Sequence, residues 1–216
     1  MNDDIRFHSD GSVGYLTIDL KDEKVNKLSG SVMTALSQAF DEVAKQSGIH
    51  TLVIQSGKPG MFVAGADITE LQTITSEEEA QKVVELGQSI FSKCAALPMR
   101  TVAVIDGVCL GGGCELALAC NFRIASDSSK TSIGLPEVNL GIIPGWGGTQ
   151  RLPRLIGLQK SLQLILAGKP VDGKKALKLG LVDALYPQDF LDEKVQQFVA
   201  TLDKQARKLL QKRRSK

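Results

Sequence analysis

The sequence predicts an α/β protein built around a buried sheet. Three observations carry this: short runs rich in β-branched and apolar residues, intervening segments with apolar residues at helical spacing, and glycine-rich turns between them. Residues 13–20 (VGYLTIDL) read as the first strand. Val32, Leu36, Ala39, Phe40 and Val43 then recur at helical spacing, with Ser29 or Ser31 as N-cap. Residues 51–55 (TLVIQ) form a short buried strand that ends in the turn-rich loop 56–60 (SGKPG). A long helix is expected over residues 76–96, opening on Ser76-Glu77-Glu78-Glu79, a capping-box-like start with acids in its first turn; Pro98 follows its end. Residues 101–105 (TVAVI) are the next strand, and the glycine-rich turn 106–113 leads into a helix over 114–120. Further short strands are expected at 122–125 and around Ile133 and Val138; beyond Pro144 the chain reads as mainly helical, with an amphipathic segment from Leu191. The division expected is a core over residues 1–187 and a helical, basic tail over 188–216.

With 216 residues the chain is long enough to bury a substantial core, and 43% hydrophobic and 23% charged residues are ordinary for a globular protein. Aromatic residues make up only 5%, which argues against stacking platforms for nucleic-acid bases. The net charge of +2 hides an asymmetry: residues 204–216 carry seven basic side chains and no acid, so the remainder is net acidic. A solvated helix end is the simplest reading of that tail. Cys94, Cys109, Cys114 and Cys120 form no CxxC pair and have no nearby His, so no metal site is expected. Cys109, Cys114 and Cys120 read as buried thiols in a reducing compartment. The polar, acidic start is unlike a signal peptide, and no apolar run approaches the roughly 18–20 residues of a membrane span. A cytoplasmic or organelle-matrix protein, without membrane insertion, is expected.

Three segments carry candidate chemistry. Residues 60–68 (GMFVAGADI) follow a strand, and Gly60 and Gly65 let backbone N–H groups approach a ligand. Residues 106–117 (DGVCLGGGCELA) place three glycines where a helix begins. First-turn N–H groups are unpaired there, and with the helix dipole they suit a phosphate or a developing oxyanion. Close helix–strand packing is the alternative reading of those glycines. Glu115, one turn in, is either functional or an exposed first-turn acid, although the apolar residues after it make exposure uncomfortable. Glu137 is the only acid between Asp127 and Asp172, inside a strongly apolar run. It is therefore either paired, with Arg151 or Arg154 as candidates, or tuned by burial into a proton donor near neutral pH. Trp146 reads as core or pocket wall. His8 and His50 lack a nucleophile motif, and neither a Walker loop nor a GxGxxG turn occurs.

The combination of GADI (65–68), LGGGCELA (110–117) and LPEVNLGIIPGWGGTQRLPR (135–154) resembles the crotonase, or enoyl-CoA hydratase/isomerase, superfamily, over most of the chain. VNKLS (25–29) and GKPGMFVAGADITEL (57–71) look most similar to the N-terminal hydratase domain of the multifunctional fatty-acid oxidation enzymes, α-subunit type. The resemblance implies a spiral of strand–strand–helix units, usually assembled as trimers. It also implies an acyl-CoA thioester whose carbonyl oxygen is held by the N–H groups of Ala66 and Gly112, with Ala64, Asp67 and Ile68 along the CoA moiety. Coenzyme A is then part of the substrate, and no separate cofactor is implied. Both family carboxylate positions are filled, by Glu115 and Glu137, which implies syn hydration of a trans-2-enoyl-CoA to a 3-hydroxyacyl-CoA in β-oxidation. Glu115 would activate the water and Glu137 would protonate the α carbon.

Family isomerases need the second carboxylate alone, so a Δ3,Δ2-enoyl-CoA isomerase or a bifunctional enzyme is the near alternative. A non-catalytic acyl-CoA-binding module is the more distant one, and a peptidase of related fold would need a Ser–His pair that is not found. The chain stops at Lys216, where the resemblance implies further C-terminal helices that close the acyl pocket and build the trimer, and a downstream dehydrogenase domain. A domain of a longer chain, or a short homologue, is therefore expected.

Overall fold

The computed structural model describes residues 3–214, with side chains described as far as residue 202. The chain opens with an antiparallel hairpin, β1 (Ile5–Asp10) and β2 (Val13–Ile18), in register from Ile5 opposite Ile18 to Asp10 opposite Val13. Helix α1 (Gly30–Ala44) follows, with Ser29 Oγ accepting the Val32 N–H; of the two candidate caps, Ser29 is used.

From there the chain advances in turns. One strand joins a large sheet, the next joins a small one, and helical segments lead back. The first turn is β3 (Thr51–Ser56), β4 (Met61–Val63), α2 (Ile68–Leu71) and α3 (Glu77–Ala95). The second is β5 (Arg100–Ile105), β6 (Val108–Leu110) and α4 (Gly112–Ala119). The third is β7 (Phe122–Ser126), β8 (Ser132–Gly134), the 3-10 turn Glu137–Leu140, α5 (Gly148–Ile156), α6 (Leu158–Ala167) and α7 (Gly173–Leu179). Strand β9 (Ala184–Tyr186) and the long helix α8 (Leu191–Arg214) end the chain. The large sheet has the order β1-β2-β3-β5-β7-β9, parallel after the first pair, and the small sheet is a parallel β4-β6-β8. This is the expected α/β spiral of strand–strand–helix units.

Burial on both faces explains why TLVIQ and TVAVI carry consecutive apolar residues instead of an alternating pattern. Leu52, Ile54, Ala103, Ile105 and Ala125 point into the main core. Their alternating neighbours Val53, Val102, Val104, Phe122 and Ile124 point outward, where Leu191, Val195, Val199 and Leu202 of α8 cover them. The first half of the C-terminal helix is thus packed against the sheet. The basic side chains of the expected tail, from Lys204 onward, lie outside the described residues.

Four points depart from expectation. The strand expected around Val138 is the 3-10 turn, bracketed by Pro136 and by Gly141 at φ +75°, with no strand partner among the described residues. Strands β4 and β6 lie in stretches read as loop and turn, being too short at three residues to show periodicity. Strand β1 was not anticipated either; its Ile5 is buried, while the residues after it are largely exposed. The capping box of α3 is offset by one: Ser76 Oγ accepts the Glu79 N–H, but Glu79 Oε2 reaches the Thr75 N–H. All four cysteines are buried and free. Among the described residues, no helix is long and apolar enough to cross a membrane, and no three His, Cys, Asp or Glu side chains cluster to hold a metal ion.

Candidate active site

Helix α4 is the centre of the site, and its glycines show why it sits where it does. Gly111 adopts φ +52°, a backbone state that side chains disfavour, and turns β6 into the helix. A Cβ on Gly113 would run into Val63 of β4, so this glycine permits contact between helix and small sheet. The helix is buried all round, Glu115 included at 2% exposure. Its C-terminal end is held by the buried Arg123, whose Nη1 donates to Ala117 O (3.1 Å) and Cys120 O (2.8 Å) and whose Nε donates to Leu181 O (3.0 Å). A cation there also complements the helix dipole.

The loop before α2 approaches the other end of α4. A Cβ on Gly65 would stand 3.3 Å from Leu110 O and 3.9 Å from Gly112 N. A parallel bridge joins Leu28 to Ala66, and its hydrogen bonds use Gly65 O and Asp67 N, which leaves the Ala66 N–H out of the ladder. The Gly112 N–H is a first-turn donor, since the intrahelical bonds begin with Glu115 N to Gly111 O. Neither N–H has an acceptor among the described residues, and both Ala66 and Gly112 line one cleft.

That cleft has a volume of about 410 Å³ and is mainly apolar. Both candidate carboxylates line it. Glu115 Oε1 accepts two backbone N–H groups, from Trp146 (2.8 Å) and Gly148 (2.7 Å), where α5 begins. Burial raises its pKa, and the two N–H bonds and Arg151 counter that. Glu137, 8% exposed, has no such support: its Oε2 is buried without a hydrogen-bond partner among the described residues. Burial, with a smaller push from Glu115, raises its pKa to about 7. A Cβ on Gly111 would lie 3.4 Å from Glu137 Oε1, so this carboxyl rests against the turn that presents Gly112.

Arg151 and Arg154 do not pair with Glu137. Arg151 donates to Trp146 O and Arg154 to Gln150, both near the start of α5. Of the residues expected along CoA, Ala64 and Ile68 line the cleft. The Asp67 carboxylate instead caps α2, accepting from Thr69 N (3.0 Å) and Thr69 Oγ1 (2.6 Å), and pairs with Lys27 at 3.1 Å. The Thr69 hydroxyl, more than Lys27, holds its pKa below the usual carboxylate range. The sequence reading missed the Trp146 and Gly148 N–H groups as the anchor of Glu115. The available signal was the start of a helix after Gly147-Gly148, which leaves free donors as it does at Gly112.

The family profile described as enoyl-CoA hydratase/isomerase matches residues 9–215. This chain belongs to that family. It is 50% identical over 202 residues to a fatty acid oxidation complex subunit alpha of Aliivibrio fischeri, a match covering 93% of the chain and 29% of the relative. A subunit of the same description from Vibrio parahaemolyticus is 48% identical over 87% of the chain and 27% of its own length. The chain thus spans less than a third of these curated relatives. Among solved structures, an enoyl-CoA hydratase from Geobacillus kaustophilus superposes with a TM-score of 0.88 at 29% identity, over 94% of this chain and 75% of that one. An enoyl-CoA hydratase from Bacillus anthracis gives 0.85 at 32% identity, over 93% and 76%.

Proposed function

We propose that the chain is an enoyl-CoA hydratase, adding water syn across a trans-2-enoyl-CoA to give the 3-hydroxyacyl-CoA of β-oxidation. The observation that carries this is the unlike pair of carboxylates in one apolar cleft: Glu115 tethered by two N–H groups and Glu137 without a partner for Oε2, at a pKa of about 7. The thioester oxygen is placed at the Ala66 and Gly112 N–H groups, which stabilise the enolate formed as the β carbon is attacked. Ionised Glu115 orients the water and takes its proton. Protonated Glu137 delivers a proton to the α carbon, and return of the proton gained by Glu115 to Glu137 through solvent restores the starting form, so atoms balance without a further cofactor. The thioester's CoA moiety is assigned to Ala64, Asp67 and Ile68, Asp67 acting through the backbone it caps. Family membership and the hydratase neighbours support this reading.

The decisive experiment is a spectrophotometric assay with crotonyl-CoA and trans-2-decenoyl-CoA. Loss of the enoyl absorbance is expected, and a folded sample that turns over neither would sink the proposal. Residues 1–187 are proposed as the catalytic core, in a cytoplasmic or organelle-matrix protein. A homotrimer, or a place within a longer chain, is proposed for its assembly. In support, Leu158, Leu162 and Leu166 form an exposed apolar stripe along α6.

A further inference from the structure

The backbone around the cleft has been shaped to receive one large side chain. Trp146 is 7% exposed and lines the cleft. Its Nε1–H donates to Val83 O of α3 at 3.2 Å, and its ring meets Phe91 edge-to-face, 5.7 Å between centroids at 88°. A Cβ on Gly87 would collide with the indole, and one on Gly112 would stand 2.5 Å from its Cζ3. A mid-helix glycine costs roughly 0.5–1 kcal/mol relative to alanine, and α3 carries one under the ring. The indole therefore bridges α3 and the first residue of α4. Because the Trp146 N–H also holds Glu115, that bridge stands directly beside the carboxylate.

We infer that Trp146 is a specificity-determining residue, the floor of the cleft that admits straight-chain acyl groups and refuses those with a branch or ring next to the reacting double bond. This rests on the hydratase reading above, which puts the thioester oxygen at Gly112 and the β carbon near Glu115. The first acyl atoms beyond the double bond then meet the indole. A straight chain turns along the apolar wall of Val84, Ile142 and Ile143, which lines the same cleft. A branch or ring at that point needs the volume the indole fills between Gly87 and Gly112. Replacing Trp146 by a smaller residue opens an apolar space continuous with the cleft. In an apolar pocket each methylene admitted or refused changes kcat/KM by roughly 10-fold or more.

The test compares kcat/KM for trans-2-decenoyl-CoA and for cinnamoyl-CoA, whose ring sits on the double bond, in the wild type, W146F and W146A. The preference for decenoyl-CoA is expected to fall at least about 10-fold in W146A and less in W146F. An unchanged ratio, or an equal loss on both substrates, overturns the inference, since a purely structural role lowers both alike. A second readout needs neither turnover nor a variant, because the chain has one tryptophan. Titration with saturated decanoyl-CoA is expected to change the emission of Trp146, and free CoA to leave it unchanged. Binding of decanoyl-CoA by calorimetry without any change in emission overturns the role of Trp146 alone. Failure of decanoyl-CoA to bind overturns the acyl-thioester reading and this inference with it.

Discussion

The backbone N–H of Gly148 donates to Glu115 Oε1 at 2.7 Å, across 33 positions of sequence. Glu115 thereby lies against the start of α5, where unpaired N–H groups favour a negative charge. A Cβ on Gly148 would stand only 3.0 Å from that oxygen, so the close approach depends on glycine. One carboxylate thus has fixed partners, while Glu137 has a buried oxygen with none among the described residues.

Glu115→Gln keeps an oxygen that can accept both N–H bonds but cannot take a proton from water. Hydration of crotonyl-CoA is expected to fall about 10²–10⁴-fold with little change in melting temperature. Double-bond migration, which needs Glu137 alone, is expected to survive if the chain also isomerises. A steady-state assay of both reactions beside a thermal melt checks this.

Glu137 sets the alkaline side of the pH profile. Hydration uses its protonated form, so kcat/KM for hydration should decline as pH rises through about 7. Dehydration of the 3-hydroxyacyl-CoA starts from the form with the proton on Glu115 instead, which has the same total proton count, so its kcat/KM should decline over the same range. Initial rates in both directions across pH test the pairing.

The same group affects stability. Its folded pKa lies above the ordinary 4.5, so its neutral form is favoured by folding. That contribution is complete below the unfolded value and is lost as pH rises through about 7. Glu137→Gln cannot ionise and should be more stable than the wild type at mildly alkaline pH, by up to about 3 kcal/mol, and no different in acid. Denaturant melts of both proteins at two pH values decide it.

Gly113→Ala forces a Cβ into the Val63 backbone, which cannot give way cheaply. A loss of about 1–3 kcal/mol is expected, with reduced turnover because α4 carries Glu115. Gly48→Ala is the control: the glycine is exposed, nothing lies within 4 Å of the added atom, and the change should stay within about 0.5 kcal/mol.

Val199 of α8 belongs to the buried cluster that also holds Val53, Val102, Val104, Phe122 and Ile124. Val199→Asp would bury an unpaired charge against the sheet and should destabilise the protein by about 3 kcal/mol or more. Ala200→Asp, on the exposed side of the same helix, should be close to neutral. Equal melting temperatures for the two variants would mean that α8 is an appendage, as a boundary at residue 187 implies.

The sequence by itself determined what is local. Apolar runs marked β3, β5 and β7, helical spacing and Ser29 and Ser76 marked α1 and α3, and the glycine run marked the start of α4, because periodicity and capping act within a few residues. It also singled out Glu137 as an acid with no reason to be in an apolar run. Only the tertiary structure decided what depends on contacts between distant segments. The small sheet is made of three-residue strands that become strands only by pairing with one another. Whether Glu137 pairs with Arg151 or stands alone, and whether Glu115 is exposed or tethered, depends on where α5 starts relative to α4. A hydrogen bond has no sequence signature when its donor is a backbone N–H, since every non-proline residue carries one. The spiral selects which of them meets the carboxylate.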